Sequence, residues 1–278
     1  MVKEGSLITS HYHDAEWLHL PNEPRDRVDQ RHDELRAIWR AFTAYAVTQR
    51  TGQALEIAVQ RAILAGGIDL YGGYRDIDAQ DDGILYTKTD LRDLNGRNLG
   101  NKSLDFIVAA GGHHLGIEIK NKRLWYYAKN AEIRELLFKA LTLDVLPVLI
   151  ARRIQYSAFK VFGTCGLIIH ETFNQRLAQA DAAIAAQAAH KNLLGYHDIR
   201  VGNHADARLT KFIGTNLPLV VDEAAAKIAK YRDLLWAYAT REMGYQEFSG
   251  RVRRRSLGQN EDADWKNDQE DQDTDPGS

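Results

Sequence analysis

Asp105, Glu118 and Lys120 are the residues of this chain whose types and spacing point most directly to chemistry. Asp105 lies in the run Leu104, Asp105, Phe106, Ile107, Val108, which predicts a buried strand carrying one carboxylate. Residues 110–114 (Ala-Gly-Gly-His-His) predict a turn, and residues 115–120 a second strand. Side chains alternate faces along a strand, so Glu118 and Lys120, two apart, point to the same side. A hairpin folds the Asp105 strand back beside them. Two carboxylates and an ammonium then converge on one spot. Hard oxygen ligands suit Mg²⁺ or Mn²⁺, and a nearby cation suits an attacking water or a phosphate, so the trio fits phosphodiester hydrolysis. The competing reading is a surface salt bridge of these carboxylates with Lys120 or Lys122. The apolar flanks of Asp105 weigh against it, because a carboxylate in a buried strand needs a compensating partner.

The elements around the trio follow from hydrophobic period. Residues 54–65 predict a helix carrying Glu56 and ending at Gly66 and Gly67. After the hairpin, residues 127–143 predict a helix, 145–153 a buried strand, 154–162 a short helix and 166–171 another strand. An acidic helix, an Asp strand, a Glu-x-Lys strand, an amphipathic helix and an apolar strand, in this order, resemble the PD-(D/E)XK nuclease superfamily. That superfamily includes restriction endonucleases and archaeal Holliday-junction resolvases. The resemblance covers about residues 52–172, and Leu104 stands where the family's name has Pro.

The resemblance implies an α/β fold with a restriction-endonuclease-like mixed β-sheet flanked by helices, here with additional N- and C-terminal helices. It implies Mg²⁺ or Mn²⁺ held by Asp105, Glu118 and the backbone carbonyl of Ile119. Lys120 would orient the water, and Glu56 would add a third carboxylate. The implied activity is endonucleolytic cleavage of DNA, in phage defence, restriction, repair or recombination. The alternative is a non-catalytic nucleic-acid or partner-binding module on the same fold. The chain has no Walker motif, so on that reading an ATPase or helicase subunit supplies any motor.

Lys122, Arg123, Tyr127 and Lys129 follow the motif, interleaved with Trp125 and Tyr126. Basic residues among aromatics suit phosphate contacts and base stacking, and Arg152 and Arg153 at the end of the next strand suit phosphate as well. The pairs His170 and Glu171, His197 and Asp198, and His204 and Asp206 lack zinc-ligand spacing with a third partner and are read as structural. So are His113 and His114 on the turn.

The chain has 278 residues, 44% hydrophobic and 27% charged, enough to bury a sizeable core. A single cysteine, Cys165, excludes an intramolecular disulfide framework and CxxC zinc sites, and it reads as a buried thiol. No apolar run approaches the roughly 20 residues of a membrane span, and the first residues do not read as a signal peptide, so a cytoplasmic setting is expected. Four segments are expected: an irregular 1–30, a nuclease-like core at 31–172, a helical extension at 173–250, and a basic cluster with a disordered acidic tail at 251–278. Removing residues 259–278, with eight acidic and one basic residue, leaves 35 basic and 30 acidic, so the body is mildly basic. Within these segments, helices are predicted at 31–50, with a break at Thr51 and Gly52, at 174–194, and at 222–243 with Asp222 as its cap. Short strands are predicted at 83–87 and 217–221. The 222–243 helix carries more apolar surface than a lone helix needs, so it is expected to pack on the core or to join a homodimer or partner interface.

Overall fold

The computed structural model describes residues 7–12, 15–78 and 83–262. An antiparallel pair, β1 (Ile8–Tyr12) and β2 (Ala15–His19), precedes two long helices, α1 (Arg25–Phe42) and α2 (Tyr45–Ala65). An excursion of short strands follows: β3 (Asp69–Tyr71), β4 (Gly73–Tyr74), β5 (Lys88–Thr89), β6 (Asp93–Leu94) and β7 (Arg97–Asn98). Then come β8 (Phe106–Ala110), β9 (His113–Lys120), α3 (Ala131–Leu143), β10 (Leu146–Ala151), α4 (Tyr156–Thr164) and β11 (Ile168–Glu171). The chain continues through β12 (Gln175–Leu177), α5 (Ala182–Ala189), β13 (Ile199–Val201) and α6 (Ala207–Lys211). It ends in two packed helices, α7 (Leu217–Ala239) and α8 (Tyr245–Ser256).

The molecule is mixed α/β. Five strands form the central sheet in the order β11–β10–β9–β8–β3. β9, β10 and β11 are parallel, with α3 and α4 as crossovers, whereas β8 and β3 run antiparallel to their neighbours. Every residue of β10 is buried, as a central strand covered on both faces requires. Ala110 pairs with His113 across a two-residue loop in which Gly111 and Gly112 take φ of 57° and 78°. Positive φ at both positions is the turn whose twist matches a hairpin, and glycine adopts it without strain. One continuous core runs from Leu55 on α2 through Phe106, Ile117, Leu136 and Val148 to Leu235 on α7 and Phe248 on α8. A second, small core joins Phe42, Leu177, Ala185 and Ala188. No helix among the described residues is long and apolar enough to cross a membrane.

Several elements differ from the expectations. Part of segment 1–30 is regular, forming the β1–β2 pair and the start of α1. The helix break falls at Thr43 and Ala44, and α2 runs straight through Thr51 and Gly52. Burial of Ala54, Leu55, Ala58 and Val59 outweighs the roughly 1 kcal/mol that an interior glycine costs a helix. Residues 83–87 are not a strand, and β5 begins at Lys88 instead. Residues 174–194 divide into β12, a short 3₁₀ turn and α5. Residues 217–221 are the first turns of α7, which continues without a break from α6 through a π-helical turn at Phe212–Asn216 just ahead of Pro218. Asp222 therefore lies inside α7, and its carboxylate meets His113 Nε2 at 3.0 Å. The rest of α7 packs on the core as expected, burying Ile228, Tyr231, Leu234, Leu235 and Tyr238. Cys165 is buried, which pushes its thiol pKa well above the ordinary range. Residues 263–278, most of the acidic tail, lie outside the described residues, while Glu261 pairs with Arg255 and Asp262 with Arg251.

Gly166 links the sheet to α7 at close range. Its φ is +94°, and an added Cβ would lie 2.5 Å from the Ala224 carbonyl oxygen. Gly163, inside α4, has nothing within 4 Å of its Cβ position. Gly166→Ala is expected to cost about 2–4 kcal/mol from backbone strain and overpacking. Gly163→Ala is expected to be neutral or stabilising by up to about 1 kcal/mol. Urea unfolding midpoints of the two variants check the contrast.

Candidate active site

One wall of the site is a face of α2. Gln53, Glu56 and Gln60 stand at i, i+3 and i+7, so they share one side of a helix that is otherwise apolar there. Each glutamine holds the excursion between β3 and β8 by a paired amide. The Gln60 side chain donates to the Tyr74 carbonyl at 2.9 Å and accepts from the Tyr74 N–H at 2.7 Å. Gln53 does the same for Tyr86, at 3.1 and 2.9 Å. Those two anchors bring Tyr74 and Lys88 to Glu56 between them. The Tyr74 hydroxyl donates to Glu56 Oε2 at 2.7 Å, and the Lys88 ammonium donates to the same oxygen.

The opposite wall is the β8–β9 hairpin. β8 begins with Phe106 paired to Ile117, and Asp105 is the bend just before it, beside the Glu118–Ile119 end of β9. Asp105 Oδ2 accepts from the Ile119 N–H at 2.7 Å, and Oδ1 lies 3.2 Å from Lys88 Nζ. The Lys88 ammonium therefore bridges Glu56 and Asp105. Glu118, only 7% exposed, has both oxygens engaged. Lys120 Nζ donates to Oε1 and Lys139 Nζ to Oε2, each at 2.6 Å. Lys139 comes from α3, is itself buried, and also donates to the Ser103 carbonyl at 2.9 Å.

Burial, reinforced by the charge of Asp105, pushes the Glu56 carboxyl above its ordinary pKa despite Lys88. Burial alone would lower Lys88 and Lys120, but their carboxylate neighbours outweigh it, and both are held above the ordinary lysine range. Lys120 is thus an ammonium at neutral pH, fit to neutralise charge rather than to accept a proton. Burial, then the neighbouring Glu132 carboxylate, pushes the Tyr126 hydroxyl up to about 12.

The expected core residues Asp105, Glu118, Lys120 and Glu56 are brought together, and Ile119 lies between the two motif residues, paired with Ile150 of β10. Among the expected phosphate contacts the outcome divides. Arg123 and Arg152 both bond Asp198, at 2.6 Å each, and Arg152 also donates to the Arg123 carbonyl. Lys122 pairs with Glu132 at 3.1 Å, while Tyr127 and Lys129 are exposed. Arg153 lies over the rings of Trp125 and Phe173. Asn121 is a buried clamp at the end of β9. Its amide donates to the carbonyls of Thr51 and Arg176, at 2.6 Å each, and accepts from the Arg176 N–H.

Lys88, Lys139, Tyr74, Gln53 and Gln60 are absent from the sequence-based set. Lys139 carries a readable signal, a lone charge in the apolar stripe Leu136, Ala140, Leu143. The glutamines are readable too, as polar residues in register with Glu56. No family model matches this chain, and neither a curated protein nor a solved structure matches it.

Glu118 has a structural part of its own, as the counter-charge of buried Lys139. Glu118→Gln leaves the Lys139 ammonium buried without its counter-charge, and is expected to cost about 3–5 kcal/mol. Glu118→Gln combined with Lys139→Met is expected to recover at least half of that loss. Chemical denaturation of the two variants and the parent checks this.

Proposed function

We propose that this chain is a divalent-metal-dependent endonuclease acting on DNA, built on a restriction-endonuclease-like core. The observation that carries the reading is the gathering of Asp105 at the start of β8, bonded to the Ile119 N–H beside Glu118, with Lys120 on Glu118 and Glu56 reaching Asp105 through Lys88. Fit to a metal turns on what now neutralises these carboxylates. Lys88 sits between Glu56 and Asp105, so that position already accepts a cation. Among the described residues no three acidic, His or Cys side chains form a ready ligand set. The donors are nonetheless the hard oxygens that Mg²⁺ or Mn²⁺ takes, and an ion here would have to displace Lys88 from Glu56 and Asp105 and Lys120 from Glu118 Oε1. Asp105, Glu118 and the Ile119 carbonyl would hold the ion, with Glu56 beside them. A bound divalent ion would supply Lewis-acid activation of the phosphate and of a water.

The chain's own residues divide the remaining work. Lys139 holds one Glu118 oxygen and fixes the carboxylate's direction. Lys120, protonated, faces the developing charge on a phosphate oxygen. Lys88 stands on a two-residue strand outside the central sheet, paired with Tyr74 and two residues beyond the Tyr86 that Gln53 holds. A second reading draws on the saturation of Glu118 by two lysines: a non-catalytic binding module that needs no metal.

The test is incubation of purified protein with supercoiled, linear and single-stranded DNA, with Mg²⁺, with Mn²⁺, and with a chelator. Metal-dependent cleavage is expected, reduced about 100-fold or more by Asp105→Asn and by Lys120→Ala, the scale of losing a positioned electrostatic group. Cleavage that survives both substitutions would assign the activity elsewhere, and absence of both cleavage and metal binding would favour the binding module. Protons and metal compete for Glu56, whose pKa is raised by burial and by Asp105. Affinity for Mn²⁺, measured by calorimetry, is therefore expected to rise with pH through that raised pKa. Glu56→Gln is expected to flatten the dependence.

A further inference from the structure

The carboxyl ends of three parallel strands present a ladder of rings and guanidinium groups beside the site. Lys120, Ala151 and Glu171 are in register at the ends of β9, β10 and β11, so the segments that follow them leave from one edge. Tyr126 is buried and bridges to Ile154, which turns its neighbours Trp125 and Tyr127 outward, 38% and 52% exposed. Arg153 lies 5.5 Å from the Trp125 ring centre and 4.4 Å from that of Phe173. Arg208, on α6 and exposed, lies 4.0 Å from the same Phe173 ring. Two cations thus share one aromatic ring. Phe173 is held at φ 60°, a conformation non-glycine residues rarely keep, with its N–H bonded to the Arg152 carbonyl at 3.1 Å.

The charge pattern separates these two arginines from their neighbours. Arg123 and Arg152 share Asp198, and Arg176 and Arg200 share Asp206. Among the described residues, Arg153 and Arg208 form no ion pair with a carboxylate. Their contacts are with rings, which attract a cation but do not cancel its charge. A ligand for this ladder must bring anionic groups to Arg153 and Arg208 and flat faces to Trp125 and Tyr127. Single-stranded nucleic acid brings both, since its unpaired bases stack and its phosphates pair with guanidinium groups. A duplex hides its base faces.

We propose that Trp125, Tyr127, Arg153, Phe173 and Arg208 form a surface that binds single-stranded nucleic acid and leads it to the site of Asp105 and Glu118. This deepens the nuclease reading by naming the substrate class, and its last clause rests on that reading.

The experiment is fluorescence anisotropy of full-length protein in chelator, so that nothing is cut. The probes are labelled oligothymidylate of about fifteen nucleotides, the matching oligouridylate, a duplex and polyglutamate. Oligothymidylate is expected to bind more tightly than duplex and to quench tryptophan fluorescence, with oligouridylate showing whether the sugar matters. Arg153→Gln with Arg208→Gln is expected to weaken it about tenfold or more and to reduce the salt slope by about 2. Trp125→Ala is expected to weaken it about fivefold or more through lost stacking. Arg208→Gln alone, on an exposed side chain, keeps the test valid should the double variant fold poorly. Equal or tighter duplex binding, wild-type affinity in the arginine variants, or equal binding of polyglutamate would overturn the proposal. Asp105→Asn keeps the two readings apart, since it should lose cleavage while binding oligothymidylate like the parent. Strand binding without any cleavage would sink the nuclease reading and leave this surface standing.

Discussion

A carboxylate in the middle of a buried strand has to be neutralised from inside the protein, and here the pairing of Glu118 with Lys139 does so. Much of the molecule is arranged around that pair. It fixes the rotation of α3, because Lys139 reaches Glu118 only if Leu136, Ala140 and Leu143 face the sheet. It also ties α3 to the Ser103 carbonyl just ahead of Asp105, so both acidic residues are referenced to one ammonium. Gly116, two residues before Glu118, allows the approach: a Cβ there would lie 2.6 Å from Leu104 Cδ1 and 2.8 Å from Val145 Cγ2. The chemistry of the hairpin thus depends on packing beneath it.

On the other side, α2 sets the depth of the site. Its two glutamines fasten a segment that has little regular structure of its own, and the fastening delivers an ammonium to the place between Glu56 and Asp105. Three carboxylates and three lysines make a neutral cluster that is stable when empty of ligand. Neutrality has a functional cost, since a divalent ion adds two charges to a balanced site. Lys88 is the lysine shared between two of the carboxylates, so it is the charge that any cation entering between Glu56 and Asp105 would have to displace. A site that neutralises itself also avoids the self-repulsion of three clustered carboxylates.

The β8–β9 hairpin was legible in the sequence because a Gly-Gly turn and charged residues two apart coincide, but β8 begins at Phe106, so Asp105 precedes it, and His113 and His114 open β9 rather than lie on the turn. The α3–β10–α4–β11 order was legible from its switch between periods, with ends shifted by a few residues. Lys88 was not, because residues 68–103 hold strands of two or three residues whose placement comes from Gln53 and Gln60, not from their own pattern. The apolar run 217–221 reads equally well as strand or helix, and burial of Leu217 and Val221 against the core decides for helix. Arg123 and Arg152 look like free phosphate ligands in one dimension. Only the fold brings Asp198, 46 residues beyond Arg152, to occupy both.

The small core of Phe42, Leu177, Ala185 and Ala188 stands apart from the main one. It buries few large side chains, so it has the lower free energy of local opening. Tyr196 and Ile199, which flank Asp198, pack against it, and the Tyr196 ring also carries Arg123 at 4.0 Å. Opening this patch would therefore release Asp198 and leave Arg123 and Arg152 without their shared carboxylate while the central sheet stays intact. The charge presented along this edge is in this way tied to the packing of a minor core rather than to the central sheet.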